Sequence, residues 1–156
     1  MPEKEDPQKR IYQTFSTVAT SLGYSDVHGM IIASLVVADK PLCLQDLSKN
    51  TGYSLSSISV SLDLLELVGM VRKSKSLGDK KVYASLEGDI IDGVRKAFIF
   101  KIQKEINKTM TEFERHKGSK DLKVQKMIFK LEKEVIRLRE YLEELSKVPV
   151  PKSVEK

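Results

Sequence analysis

Five cations, Arg72, Lys73, Lys75, Lys80 and Lys81, crowd one short stretch of this chain against the single anion Asp79. Such a cluster neutralises phosphates and releases their counterions, which gives a sequence-blind, salt-dependent attraction to a nucleic acid. The same side chains would equally keep an exposed strand edge solvated. Just upstream, the segment from Ser54 to Leu67 carries hydroxyls at Ser54, Ser56, Ser57 and Ser61 and an aliphatic Val60. With Leu55, Ile58, Leu62 and Leu65 as the buried side, a turn of about 100° per residue points Ser56, Ser57, Val60, Ser61 and Leu64 outward or to the flank. Serines bond phosphates or either base type, and Val60 can touch a thymine methyl. The Arg, Lys, Asn and Gln side chains that make bidentate base contacts are absent from this segment. Base preference is therefore expected to be modest or to come from DNA shape. Leu64 and Leu67 fit a purely groove-facing surface poorly; either the helix end tucks under neighbouring chain or another element covers it.

Other chemistry finds little support. His28 lies in a mostly apolar segment and His116 in a charged one, with no pair at metal-ligand spacing, so both read as packing or solvated residues. Cys43, the one cysteine, is flanked by Leu42 and Leu44 and reads as a buried structural thiol. No glycine-rich phosphate loop and no nucleophile elbow occurs. The expectation is a non-enzyme with no catalytic residue, no metal and no cofactor.

The cations and serines need a frame to hold them. Ile11, Phe15, Val18 and Leu22 share one helical stripe ending at Gly23, and a second helix starts at Ser25 or Asp26 and stops at Asp39, Lys40 and Pro41. LQDLSKN forms a short helix closed by Thr51 and Gly52, and Ser54 caps the helix after it. Three helices around one core, the last two joined by a tight turn, make a helix-turn-helix. After Gly69, alternation around Gly78 and Asp79 predicts two strands forming a wing. From Asp89 onward two long helices follow, broken near Lys117, Gly118 and Ser119. The second repeats Val124, Ile128, Leu131, Val135, Leu138, Leu142 and Leu145 at alternating four- and three-residue steps, a coiled-coil pattern. The predicted organisation is a tail at 1–9, a winged helix-turn-helix over 10–88 whose first helix also serves a dimer, a dimerisation region over 89–147, and a tail at 148–156. The fold class is mainly α with a small β-hairpin.

The long helices outreach a three-helix core at about 1.5 Å per residue, so their stripes need a partner. A homodimer interface is expected at Ile11, Phe15, Val18, Phe98, Ile102, Ile106, Leu131, Val135, Leu138 and Leu142, the alternative being an antiparallel hairpin within one chain. At 156 residues the chain suits one compact domain with added helices. Its net charge of +5 permits a polyanionic partner without requiring one. The opening lacks a charged and apolar export signal and no apolar run reaches membrane length, so a cytoplasmic protein with no membrane partner is expected. High Lys and Glu without Trp is a composition common in thermophiles.

The pieces that carry a family resemblance are the loop with Pro41, the Leu44-Gln45-Asp46-Leu47 helix, the Ser54 to Leu65 helix, the Gly69-Met70-Val71 exit and the Gly78-Asp79-Lys80-Lys81 turn. Over residues 23–85 the chain resembles MarR-type winged-helix transcriptional regulators, most of all their GbsR-like branch of bacteria and archaea. The flanking helices match in layout only. The resemblance implies a homodimeric regulator that binds double-stranded DNA, a repressor on a near-palindromic site, with first and last helices at the dimer interface. Where that family commonly has a wing-tip arginine, Lys80 and Lys81 stand here and favour phosphate binding. The family's small-molecule effectors leave room for an unidentified one, although no aromatic cage for a choline-like ligand is legible. The competing reading is a protein-interaction module whose heptad helices pair with another protein and whose contact is Val60, Leu64 and Leu67.

Overall fold

In the computed structural model, which describes residues 5–152, Asp6 starts the first helix. Its carboxylate accepts the Gln8 N–H at 3.1 Å, and Pro7 takes the first position, where its missing N–H costs nothing. Helix α1 (Pro7–Ser21) therefore takes in the last three residues of what reads from sequence as a tail; residues 1–4 and 153–156 of the expected tails lie outside the described residues. Helix α2 (Asp26–Ala38) lies directly against α1. Gly29 makes this possible, since any Cβ there would sit 2.6 Å from the Phe15 carbonyl carbon and 2.7 Å from the Ser16 nitrogen. The Ser25 N–H donates to Nδ1 of His28 at 3.2 Å, so His28 closes the start of α2.

Strand β1 (Leu42–Cys43) leads straight into α3 (Leu44–Thr51), which ends on Gly52 at a left-handed φ of 76°. Helix α4 (Leu55–Leu67) follows, and Ile58, Leu62 and Leu65 bury themselves with Ile31, Leu35 and Leu47. Asp26 ties this arrangement together. It accepts from the Ser16 hydroxyl of α1 and, at 2.8 Å, from the Tyr53 hydroxyl in the α3–α4 turn.

Strands β2 (Val71–Lys75) and β3 (Val82–Leu86) pair antiparallel from Val71 opposite Leu86 to Lys75 opposite Val82. The sheet holds three strands and not the expected two: β1 joins the other side of β3, with Leu42 opposite Ala84 and Cys43 opposite Tyr83, giving the order β1-β3-β2. Cys43 is buried, as expected, and its thiol donates to Asp46 at 3.1 Å.

Two units divide the chain, Met1–Ala97 and Phe98–Lys156. The division between these units lies inside α5 (Ile90–His116), whose first turns pack in the first unit: the Tyr24 hydroxyl donates to the Ala97 carbonyl at 2.7 Å. In the second unit α5 and α6 (Leu122–Lys147) form a hairpin around Ile99, Ile106 and Leu142, with Ile102, Met110, Val135 and Leu145 against them. Ile106 and Leu142, both expected at a dimer interface, are buried inside this hairpin. They are covered within the chain because Ile128, Val135 and Leu142, seven residues apart, all turn inward. Leu131 and Leu138, on the flank of that row, remain exposed, as does Phe98. Among the described residues no helix is long and apolar enough to cross a membrane.

Candidate nucleic-acid interface

Helix α4 reaches its site through a defined start. Ser54 accepts the Ser57 N–H at 3.2 Å, and its hydroxyl also meets those of Ser56 and Ser57 at 3.1 and 3.0 Å. This cap leaves a cluster of hydroxyls at the exposed N-terminal end of the helix. Ser54 and Ser56 are exposed, Ser57 is half-buried and Val60 is 70% exposed, in line with the sequence expectation. Ser61 is not: at 5% exposure it belongs to the interior. Three residues from Ile58, it lies only about 60° off the centre of the buried face, close enough for the packed elements to cover it. Leu55 departs the other way, exposed at 47% despite its core-facing assignment, because it opens the helix beyond the packed turns.

Sequence reasoning missed Ser59, which is exposed beside Val60, and the exposed Gln45 and Lys49 of α3. The helical wheel already places Ser59 about 100° from Ile58. The outer face of α4 therefore runs Ser56, Ser59, Val60, Asp63, Glu66, Leu67, changing from hydroxyl to acidic and apolar along its length. Leu64 is half-buried and Leu67 is 70% exposed.

The wing cations fall into two groups. Lys73 bridges back to α4, pairing with Asp63 and, at 3.3 Å, with Glu66, while its backbone N–H donates to Glu66 at 3.1 Å. The Asp63 hydrogen bond above all pushes the Lys73 ammonium above the usual lysine range, and the Lys73 N–H draws the Glu66 carboxyl down. Arg72 pairs with Glu87 at 2.6 Å. Lys75, Lys80 and Lys81 are exposed and form no ion pair among the described residues. Asp79 organises the tip between them: it accepts the Lys81 N–H at 2.9 Å and the Tyr83 hydroxyl at 3.1 Å, beside Gly78 at φ 83°. The wing thus offers three open cations, not five, next to a helix whose first two turns are hydroxylated.

The first unit also holds a partly open apolar cavity of about 40 Å³, lined by residues that include Phe15, Val18, His28, Met70 and Val94. Drug-sized ligands occupy roughly 300–1,000 Å³, so the cavity would have to widen to admit one. His28 packs edge-on against Tyr24, with ring centroids 5.7 Å apart. Among the described residues no group of three or more His, Cys, Asp or Glu is placed to hold a metal ion.

No family model matches the chain, and no curated protein matches it. Two solved structures superpose on it only loosely. NadR in complex with 4-hydroxyphenylacetate has 20% identity over 91% of this chain and 88% of its own, with a TM-score of 0.44. An S. aureus MepR mutant bound to an oligodeoxyribonucleotide has 17% identity over 83% and 91%, with a TM-score of 0.45. A crystal structure of a transcriptional regulator follows the chain far more closely, over 90% of this chain and 96% of its own, with a TM-score of 0.71 at 13% identity. That likeness, with the α3-turn-α4 unit and the hairpin beside it, gives the chain the fold of a winged helix-turn-helix protein.

Proposed function

We propose that this chain is a transcriptional regulator that binds double-stranded DNA as a homodimer, and that it acts as a repressor. One observation carries the reading: the wing that packs on α4 through Lys73 carries three exposed lysines, Lys75, Lys80 and Lys81, that form no ion pair among the described residues, and α4 itself opens on exposed hydroxyls. In this arrangement α4 enters the major groove and the wing lysines hold the adjacent phosphates. The resemblance to MarR-type regulators and their GbsR-like branch supports the same assignment, as does the charge of the wing. The second copy takes up the apolar surface left over in each unit, Ile11, Phe15 and Val18 in one and Phe98, Leu131 and Leu138 in the other, with Ile102 and Val135 at its margin. A small-molecule effector would enter the cavity lined by Phe15 and His28 only by widening it.

Fragments of the source genome selected by the purified protein test this reading. Recovery of discrete near-palindromic fragments, and loss of their binding at about 50 mM salt in the Lys75→Ala, Lys80→Ala, Lys81→Ala triple variant, is the expected result. A second reading, a module that binds another protein, is favoured by the exposure of Val60 and Leu67. It prevails if no duplex is shifted at that salt while a helical protein partner is retained.

A further inference from the structure

We infer that Val60 is the base-reading residue of this protein and that what it reads is the 5-methyl group of thymine. The inference rests on the DNA-binding reading above and names the chemistry of its specificity.

Helix α4, from Leu55 to Leu67, carries no Arg, Lys, Asn, Gln or His. Its only uncharged polar groups are serine hydroxyls, which serve phosphates and both base-pair types alike and so discriminate weakly. Ser61 is buried, and Ser54 is engaged in capping the helix, which leaves Ser56 and Ser59 on the outer face. The two carboxylates on that face, Asp63 and Glu66, are the groups that could accept from a cytosine amino group. Both are instead held by Lys73 of the wing. Val60 remains, 70% exposed, one turn beyond Ser56 and in the half of the helix that a helix-turn-helix protein presents to base edges.

An aliphatic side chain in the major groove has one complementary feature among the four base pairs, the thymine methyl. Leu67 is equally exposed, but it lies two turns further along, beyond the carboxylates, where the helix leaves the groove. The wing that packs on α4 carries the open lysines Lys75, Lys80 and Lys81, whose charge favours a polyanion over an apolar protein surface as the partner beside it.

The test uses a duplex selected from a random pool by the intact protein, remade with deoxyuridine replacing each thymine in turn. Deoxyuridine keeps every hydrogen-bonding group and lacks only the methyl. Burial of one methyl corresponds to about a fourfold change in affinity. The wild-type protein should lose about that factor at one thymine or more in each half-site. Val60→Ala should bind the thymine and uridine duplexes equally, with its salt dependence unchanged. Wild-type binding that ignores every uridine replacement overturns the inference and leaves DNA binding intact, as does a Val60→Ala variant that keeps the full thymine dependence. Failure of the wild-type protein to select any duplex overturns the DNA-binding reading itself.

Discussion

Replacing Gly29 with alanine sets helix propensity against packing, and the two give opposite signs. In a helix interior alanine is favoured over glycine by about 1 kcal/mol, so propensity alone makes Gly29→Ala stabilising. The structure argues otherwise. A Cβ at position 29 would lie 2.6 Å from the Phe15 carbonyl carbon and 2.7 Å from the Ser16 nitrogen, and both are main-chain atoms that cannot rotate aside. Restoring an ordinary separation of about 3.5 Å moves α1 outward by nearly 1 Å, and a gap of that size forfeits a quarter to a half of each dispersion contact along the seam. Overpacking of this kind costs roughly 1–3 kcal/mol, and more where the obstacle is backbone. Allowing for the propensity gain, the net loss is about 2 kcal/mol. For a chain of this length that lowers Tm by roughly 4–8 °C. Thermal unfolding followed by circular dichroism at fixed protein concentration reads the change directly. A Tm equal to or above that of the wild type would refute the close approach of α1 and α2, and with it the packing that presents Ile11, Phe15 and Val18.

Three further outcomes follow from the site and its supports. Lys80→Ala or Lys75→Ala should reduce the slope of log affinity against log salt by about 0.9 per wing, whereas Lys73→Met, whose charge is already matched by Asp63 and Glu66, should change it much less; equal changes would show that Lys73 also reaches phosphate. Ser54→Ala should cost about 1 kcal/mol in urea unfolding, and Ser54→Asp should restore that stability while weakening DNA binding, so a variant that recovers both would deny the hydroxyl any place at the phosphates. The Ser16 hydroxyl, and after it Tyr53, hold the Asp26 carboxyl below the ordinary aspartate value of 3.8, so its ionised form stabilises the fold above that value and the contribution is lost as the pH falls through it towards the lower folded value. Asp26→Asn should flatten this part of the acid-unfolding curve, and a variant curve parallel to the wild type would contradict the linkage.

Helices and turns were legible wherever a local signal acts alone. The Gly52 and Gly69 stops and the Ser54 cap are set by the residues at those positions, and the long stripes of α5 and α6 repeat often enough to be read without tertiary information. Strand β1 was not legible, because two residues carry no period and Leu42 and Cys43 become a strand only when β3 arrives beside them. The start of α1 was present as the Asp6 and Pro7 pair but lay hidden in a charged segment. Within the site, the exposure of Ser56 and Val60 followed from the wheel, while Ser61 fell on its flank, where neighbouring helices decide burial. The division of the wing cations was invisible for another reason. Whether a lysine is open or paired depends on which carboxylate the fold brings to it, and Asp63 and Glu66 come from a different element.

The hairpin of α5 and α6 bears on the order in which the protein assembles. Since Ile106 and Leu142 find their cover in the same chain, the second unit satisfies its innermost side chains without a second copy. Obligate dimers with no folded monomer behave differently: their midpoint of unfolding rises with protein concentration. In the proposed dimer the flank with Leu131 and Leu138 would be uncovered by a departing subunit while the interior of the hairpin stays closed. Subunit exchange would then proceed between folded chains, without either passing through the unfolded state.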